Sequence, residues 1–250
     1  MTSLFSVLLA GLMAVPAAAA EPPKVEECML VTPMIRVGDK TASAGAGFLV
    51  SDGERTLLLT SHQVVGPAGG LKQQVAAADL HSGFVRALAH DAFDKTKECA
   101  RADQVLGIEA AAMGDTSAAA DVAAFVLVDK KSALGSVGKT QGTLHPAKLA
   151  SAMPKVEEAV YLVAKSAGEA RVLKGKVGQI TDGFLFYEFE GTPELVGSVG
   201  GPVLNAAGEV VGIHVGIGKF EDGTLFGTAN PMPAVKKALA AKAIAGSEAE

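Results

Sequence analysis

Short apolar runs broken by glycine dominate the hydrophobic pattern of this chain, and the longer spacing of an amphipathic helix is rare. Gly45 to Val50 leads through Ser51-Asp52-Gly53 into Thr56-Leu57-Leu58-Leu59-Thr60, a pattern that predicts a β-hairpin. Further strand-like runs are Phe125–Val128, Ala159–Ala164, Val177–Ile180, Phe184–Phe189, Pro202–Leu204 and Glu209–Val215, the last two separated by the turn Asn205-Ala206-Ala207-Gly208. Glu109 to Ala120 is alanine-rich without clear periodicity and reads as an irregular or partly helical surface insertion. Near the C-terminus, Asn230 offers a cap, Pro231 and Pro233 suit a first turn, and strong helix formers follow to Ala245. Many short strands and one terminal helix predict an all-β barrel fold with a helical tail. The length fits one large β domain or two small ones, and no repeat or linker divides it.

The first twenty residues change the picture of where the protein works. Met1–Ala20 carries no charged side chain, has an apolar run from Leu4 to Val15, and ends in Pro16-Ala17-Ala18-Ala19-Ala20. This predicts a signal peptide cleaved after Ala20 and a secreted or periplasmic product. The rival reading is a retained membrane anchor, for which the apolar run falls short of the roughly 20 residues a spanning helix needs. No other stretch is apolar enough to cross a bilayer, so no stable membrane insertion is expected after cleavage. The net charge of −5, without any Lys/Arg cluster, gives no electrostatic basis for binding nucleic acid. In an oxidising compartment Cys28 and Cys99 most simply pair, closing a loop of about 70 residues; two buried free thiols are the alternative. Neither cysteine has a second Cys or a His at ligand spacing, so no metal or other cofactor is expected.

Two motifs carry the chemistry. Val196-Gly197-Ser198-Val199-Gly200-Gly201-Pro202-Val203-Leu204, followed by Gly208-Glu209-Val210-Val211-Gly212-Ile213, resembles the nucleophile loop of trypsin-like serine proteases, especially the bacterial Deg-type branch. That family places a serine directly before the paired glycines, whereas Val199 stands there and Ser198 is one place early. Leu58-Leu59-Thr60-Ser61-His62-Gln63-Val64-Val65 resembles the segment whose third residue after the threonine is the catalytic histidine. That residue is Gln63, and His62 is again one place early. Asp121-Val122-Ala123-Ala124-Phe125-Val126 resembles the strand bearing the orienting aspartate; Asp94 is a weaker candidate, and a surface strand-start residue is the bland alternative for Asp121.

The resemblance spans roughly Ala42 to Val235. It implies two six-stranded antiparallel barrels packed side by side, the first over about residues 21–130 and the second over about 131–232, with a helix at 233–245. It places an oxyanion hole at the backbone of Gly197 and Val199, and a peptide-binding strand at Ile213-His214-Val215. Gln63 cannot accept a proton from a hydroxyl at neutral pH, and Val199 has no nucleophile. The expected function is therefore an inactive homologue with a peptide- or protein-binding cleft, or one whose cleft has collapsed. The alternative is an active secreted endopeptidase using Ser198 and His62. A one-residue shift turns a side chain by 100° or more, which favours a structural role for His62 and a loop-supporting role for Ser198. A carbohydrate-stacking role lacks support in a chain with no Trp and two Tyr.

Overall fold

A computed structural model describes residues 21–26, 28–52, 55–111, 121–128, 140–141, 144–166, 169–240 and 244–246. The expected leader and most of the Glu109–Ala120 insertion lie outside the described residues. The N-terminal half supplies β1 (Val31–Val37), β2 (Lys40–Ala42), β3 (Phe48–Ser51), β4 (Thr56–Thr60), β5 (Phe84–Asp91), β6 (Lys97–Leu106) and β7 (Ala123–Leu127), with helix α1 (Ala77–Gly83) between β4 and β5. The sheet runs β2-β1-β5-β6-β7-β4-β3, with each pair antiparallel. Reciprocal backbone bonds of 2.8 Å between Val31 and Gly47 bring β1 back to the segment entering β3, so six of these strands go round a common core.

After the two-residue β8 (Thr140–Gln141), which runs parallel to β6, six antiparallel strands close a second barrel. These are β9 (Ala159–Ser166), β10 (Glu169–Ile180), β11 (Leu185–Phe189), β12 (Pro202–Leu204), β13 (Val210–Lys219) and β14 (Leu225–Pro231), in the circular order β10-β11-β14-β13-β12-β9. Every strand-like run read from the sequence overlaps one of the strands of the two barrels.

The apolar runs are continuous because their strands are covered on both faces. Alternation sends Leu49, Leu58 and Phe125 into the first barrel and Phe48, Leu57, Leu59 and Ala124 into a second cluster. That cluster also takes Tyr161 and Val163 from β9 and Ile213 from β13, so it joins the barrels. Val160, Leu162 and Ala164, the alternate residues of β9, face the interior of the second barrel instead.

The C-terminal helix α2 (Met232–Leu239) is shorter than the sequence-based range 233–245, and Asn230 does not cap it. Its buried residues Met232, Val235 and Leu239 recur at helical spacing against the joining cluster. Ile244–Gly246 then forms β15 against β6, because backbone pairing with the first barrel wins over helix propensity there. Cys28 and Cys99 are bonded, which settles the choice between a disulfide and free thiols, and both are buried.

Candidate active site

The cleft between the barrels is built from the end of β4 upward. Ser61 is extended and caps the short turn His62–Val65: its Oγ accepts from Gln63 N at 3.2 Å and donates to Asp121 Oδ1 at 2.7 Å. This turn sends consecutive side chains in different directions. Gln63 reaches the cleft, where its Nε2 donates to Asp121 Oδ2 and, at 3.2 Å, to the Val215 carbonyl. Its backbone N–H adds a bond of 3.1 Å to Asp121 Oδ1. His62 is buried instead, and burial holds its pKa below the ordinary histidine value, opposed by the charge of Asp121.

Asp121 lies two residues before β7 and is fixed from both sides. Its carboxylate takes the donors of Ser61 and Gln63, while its backbone is gripped by Asn230 on β14: Asn230 Oδ1 accepts Asp121 N at 3.2 Å and Nδ2 donates to Asp121 O. The asparagine read as a helix cap therefore works across the barrel interface. Asp94, the weaker candidate, lies in a surface turn away from Gln63, where bonds from Thr96 hold its carboxyl below the usual range.

On the opposite wall, the loop from Leu195 to Gly201 is locked by its glycines. Gly200 has φ +92°, and a Cβ there would lie 2.1 Å from the Ala46 carbonyl oxygen and 2.3 Å from Thr60 Oγ1. Only glycine fits such an approach. Gly197, at φ +77°, opens onto free space. Ser198 is buried, and its Oγ donates to the Leu195 carbonyl at 2.7 Å, a bond inside the loop. Val199 is half-buried and packs against the first-barrel core, while its carbonyl accepts Ala46 N at 2.8 Å. Among the described residues, the N–H groups of Gly197 and Val199 donate to no protein acceptor.

β13 lines the floor. Ile213 pairs with Pro202, and His214 exchanges backbone bonds with Gly200 (2.7 Å) and Gly201 (2.8 Å). The His214 side chain points away from the cleft into the second barrel, where Nδ1 and the Tyr187 hydroxyl share a hydrogen bond at 2.8 Å. Burial pushes its pKa down to about 3, opposed by the Thr228 backbone.

The chemistry available follows directly. Gln63 supplies donors to Asp121 and Val215, Ser198 Oγ is committed to its own loop, and Val199 is an alkyl group. Cys28, Asp91 and Cys99 form the one close set of metal-type ligands among the described residues, but both sulfurs are spent on the disulfide. Sequence reasoning did not find Ser61, Asn230 or Tyr187. Ser61 had a readable signal, a serine immediately before a short turn; Asn230 and Tyr187 acquire their partners only through strand pairing.

The family model of the trypsin-like peptidase domain matches residues 45–213. Among solved structures, the active form of the Rv3671c protease from M. tuberculosis is 15% identical with a TM-score of 0.52, covering 98% of this chain and 97% of that one. The serine endoprotease from Yersinia pestis is 16% identical with a TM-score of 0.49, covering 85% of this chain and 61% of that one. The first of these likenesses concerns the fold alone. No curated protein sequence matches the chain significantly. With the family model spanning both barrels and its span containing the Ser61–Val65 turn, Asp121 and the Gly197–Gly201 loop, the chain belongs to the trypsin-like peptidase domain family.

Proposed function

We propose that this protein is an exported, catalytically inert member of its family that holds extended peptide or protein segments in the cleft between its barrels. The observation that carries the reading is the state of the catalytic positions. Gln63 is bonded through its amide nitrogen to Asp121, and the nearest hydroxyl of the loop, Ser198 Oγ, is bonded to Leu195. In this reading Gln63, Asp121 and Val199 occupy the base, orienting and nucleophile positions. Loss of base or nucleophile costs about 10⁶ in turnover, and loss of both costs little more because they act as one unit. An oxyanion hole and binding alone leave about 10³ to 10⁴ over water, too little for peptide hydrolysis to serve as a function.

Binding has more support. The Gly197 and Val199 N–H groups are unspent, and beyond Ile213 the β12 side of β13 meets no further strand among the described residues. An extended backbone can pair with such an edge. The rival endopeptidase would require Ser198 Oγ to leave the Leu195 carbonyl and His62 to leave its buried position. The export half of the proposal rests on the apolar Met1–Ala20 segment; among the described residues no helix is long and apolar enough to cross a membrane.

Incubation with an internally quenched random peptide library tests the reading. The expected result is cleavage no faster than about 10⁴ times the uncatalysed rate, far below a working protease and unchanged in Ser198→Ala. Cleavage that disappears in Ser198→Ala would overturn it.

A further inference from the structure

The floor of the cleft holds a contact that an incoming strand must break. β13 pairs with β12 only as far as Ile213, and both backbone groups of His214 are taken by Gly200 and Gly201. A bulge between His214 and Gly216 then lifts Val215 out of the ladder with β14. Bulges of this kind re-aim backbone groups. The Val215 carbonyl turns into the cleft, where Gln63 Nε2 meets it at 3.2 Å. From Gly216 to Lys219 the strand pairs, among the described residues, with β14 alone. Beside this edge, Ile217 is 53% exposed and Val196 on the facing loop is 79% exposed, so the space next to the occupied carbonyl is open and apolar.

Resting on the peptide-binding reading, we infer that the Gln63 carboxamide is a resident plug. It occupies the cleft-facing acceptor of β13, and an extended peptide must displace it from Val215 before its own N–H can bond there. Glutamine suits this task. Its amide nitrogen carries two hydrogens, one for Asp121 and one for Val215, whereas each ring nitrogen of a neutral histidine offers at most one. A histidine donating to Asp121 therefore leaves the carbonyl free. Displacement gives up one neutral hydrogen bond, which corresponds to about a five-fold penalty on peptide affinity.

The test compares the wild type with Gln63→Ala and Gln63→His for retention of acetylated, amidated random octapeptides at fixed concentration. Both variants keep Asp121 partnered, since Ser61 Oγ and the residue 63 N–H remain, and thermal unfolding verifies that they fold. About five-fold greater retention by both is expected. Equal retention by all three proteins overturns the plug and leaves the peptide-binding reading standing. Weaker retention by Gln63→Ala also overturns it, making Gln63 a ligand contact. No retention by any of the three overturns the peptide-binding reading and the plug with it.

Discussion

Replacing Cys28 and Cys99 together with alanine will lower the free energy of unfolding by about 4 kcal/mol, on the chain-entropy account of a closed loop of this length. The bridge joins positions 71 residues apart, tying the segment before β1 to β6 with both sulfurs buried. Without it the unfolded chain gains the entropy of that loop, while the folded state keeps a local substitute. Asp91 accepts the backbone N–H groups of Cys28 (3.1 Å), Phe93 (2.8 Å) and Asp94 (2.9 Å), so the fold survives the substitution at reduced stability. Urea titration of both proteins under non-reducing conditions reads the difference. A loss below about 1 kcal/mol would mean that the segment is held by Asp91 and its neighbours rather than by the bridge.

Acid will destabilise the protein through His214. In the unfolded chain this side chain titrates near 6.5, and in the barrel burial pushes it down to about 3. Below pH 6.5 the unfolded state takes up a proton that the folded state refuses. Stability is therefore fully present above pH 6.5 and falls by about 1.4 kcal/mol per pH unit below it, reaching a loss of about 4 kcal/mol by pH 3.5. His62, also lowered by burial, acts in the same direction. Urea titrations at pH 7, 6 and 5 on wild type and His214→Leu isolate the term. The variant loses the Tyr187 bond at every pH, so its baseline is lower, but its slope below pH 6 should be shallower by about 1.4 kcal/mol per unit. Parallel slopes would show that His214 is protonated without cost in the folded state.

How far the sequence reached depends on what made each element. The strands around Phe48–Thr60, Ala159–Ala164 and Pro202–Val215 were legible because both of their faces are apolar. β1, β5, β6 and β14 were not read as strands. β1 carries Pro33 and Arg36 on an alternating, half-exposed strand, β6 mixes polar and apolar residues evenly along Lys97–Leu106, and β14 ends in Asn230-Pro231, which reads locally as a helix start. Tertiary pairing overrode local chemistry in each case. The same competition shortened the terminal helix and turned Ile244–Gly246 into a strand.

The candidate site divides in the same way. The resemblance to the trypsin-like motifs, counted from Thr60 and from Gly200-Gly201, singled out Gln63 and Val199 without a structure. The resemblance set Gln63 and Asp121 side by side, but the other partners of Asp121, Ser61 and Asn230, were invisible because they come to it from segments far along the chain. The direction of the Val199 side chain, which packs against the first-barrel core, was likewise not legible.

Fluorophosphonate labelling of the purified protein, with an active trypsin control and the adduct mapped by mass spectrometry, tests the claim of catalytic inertness most directly. The reagent reports an activated hydroxyl beside an oxyanion hole. With Ser198 Oγ bonded to Leu195 and an alkyl side chain at Val199, no adduct should form while trypsin labels fully. An adduct on Ser198 would contradict the account and identify the protein as a working protease with a displaced nucleophile.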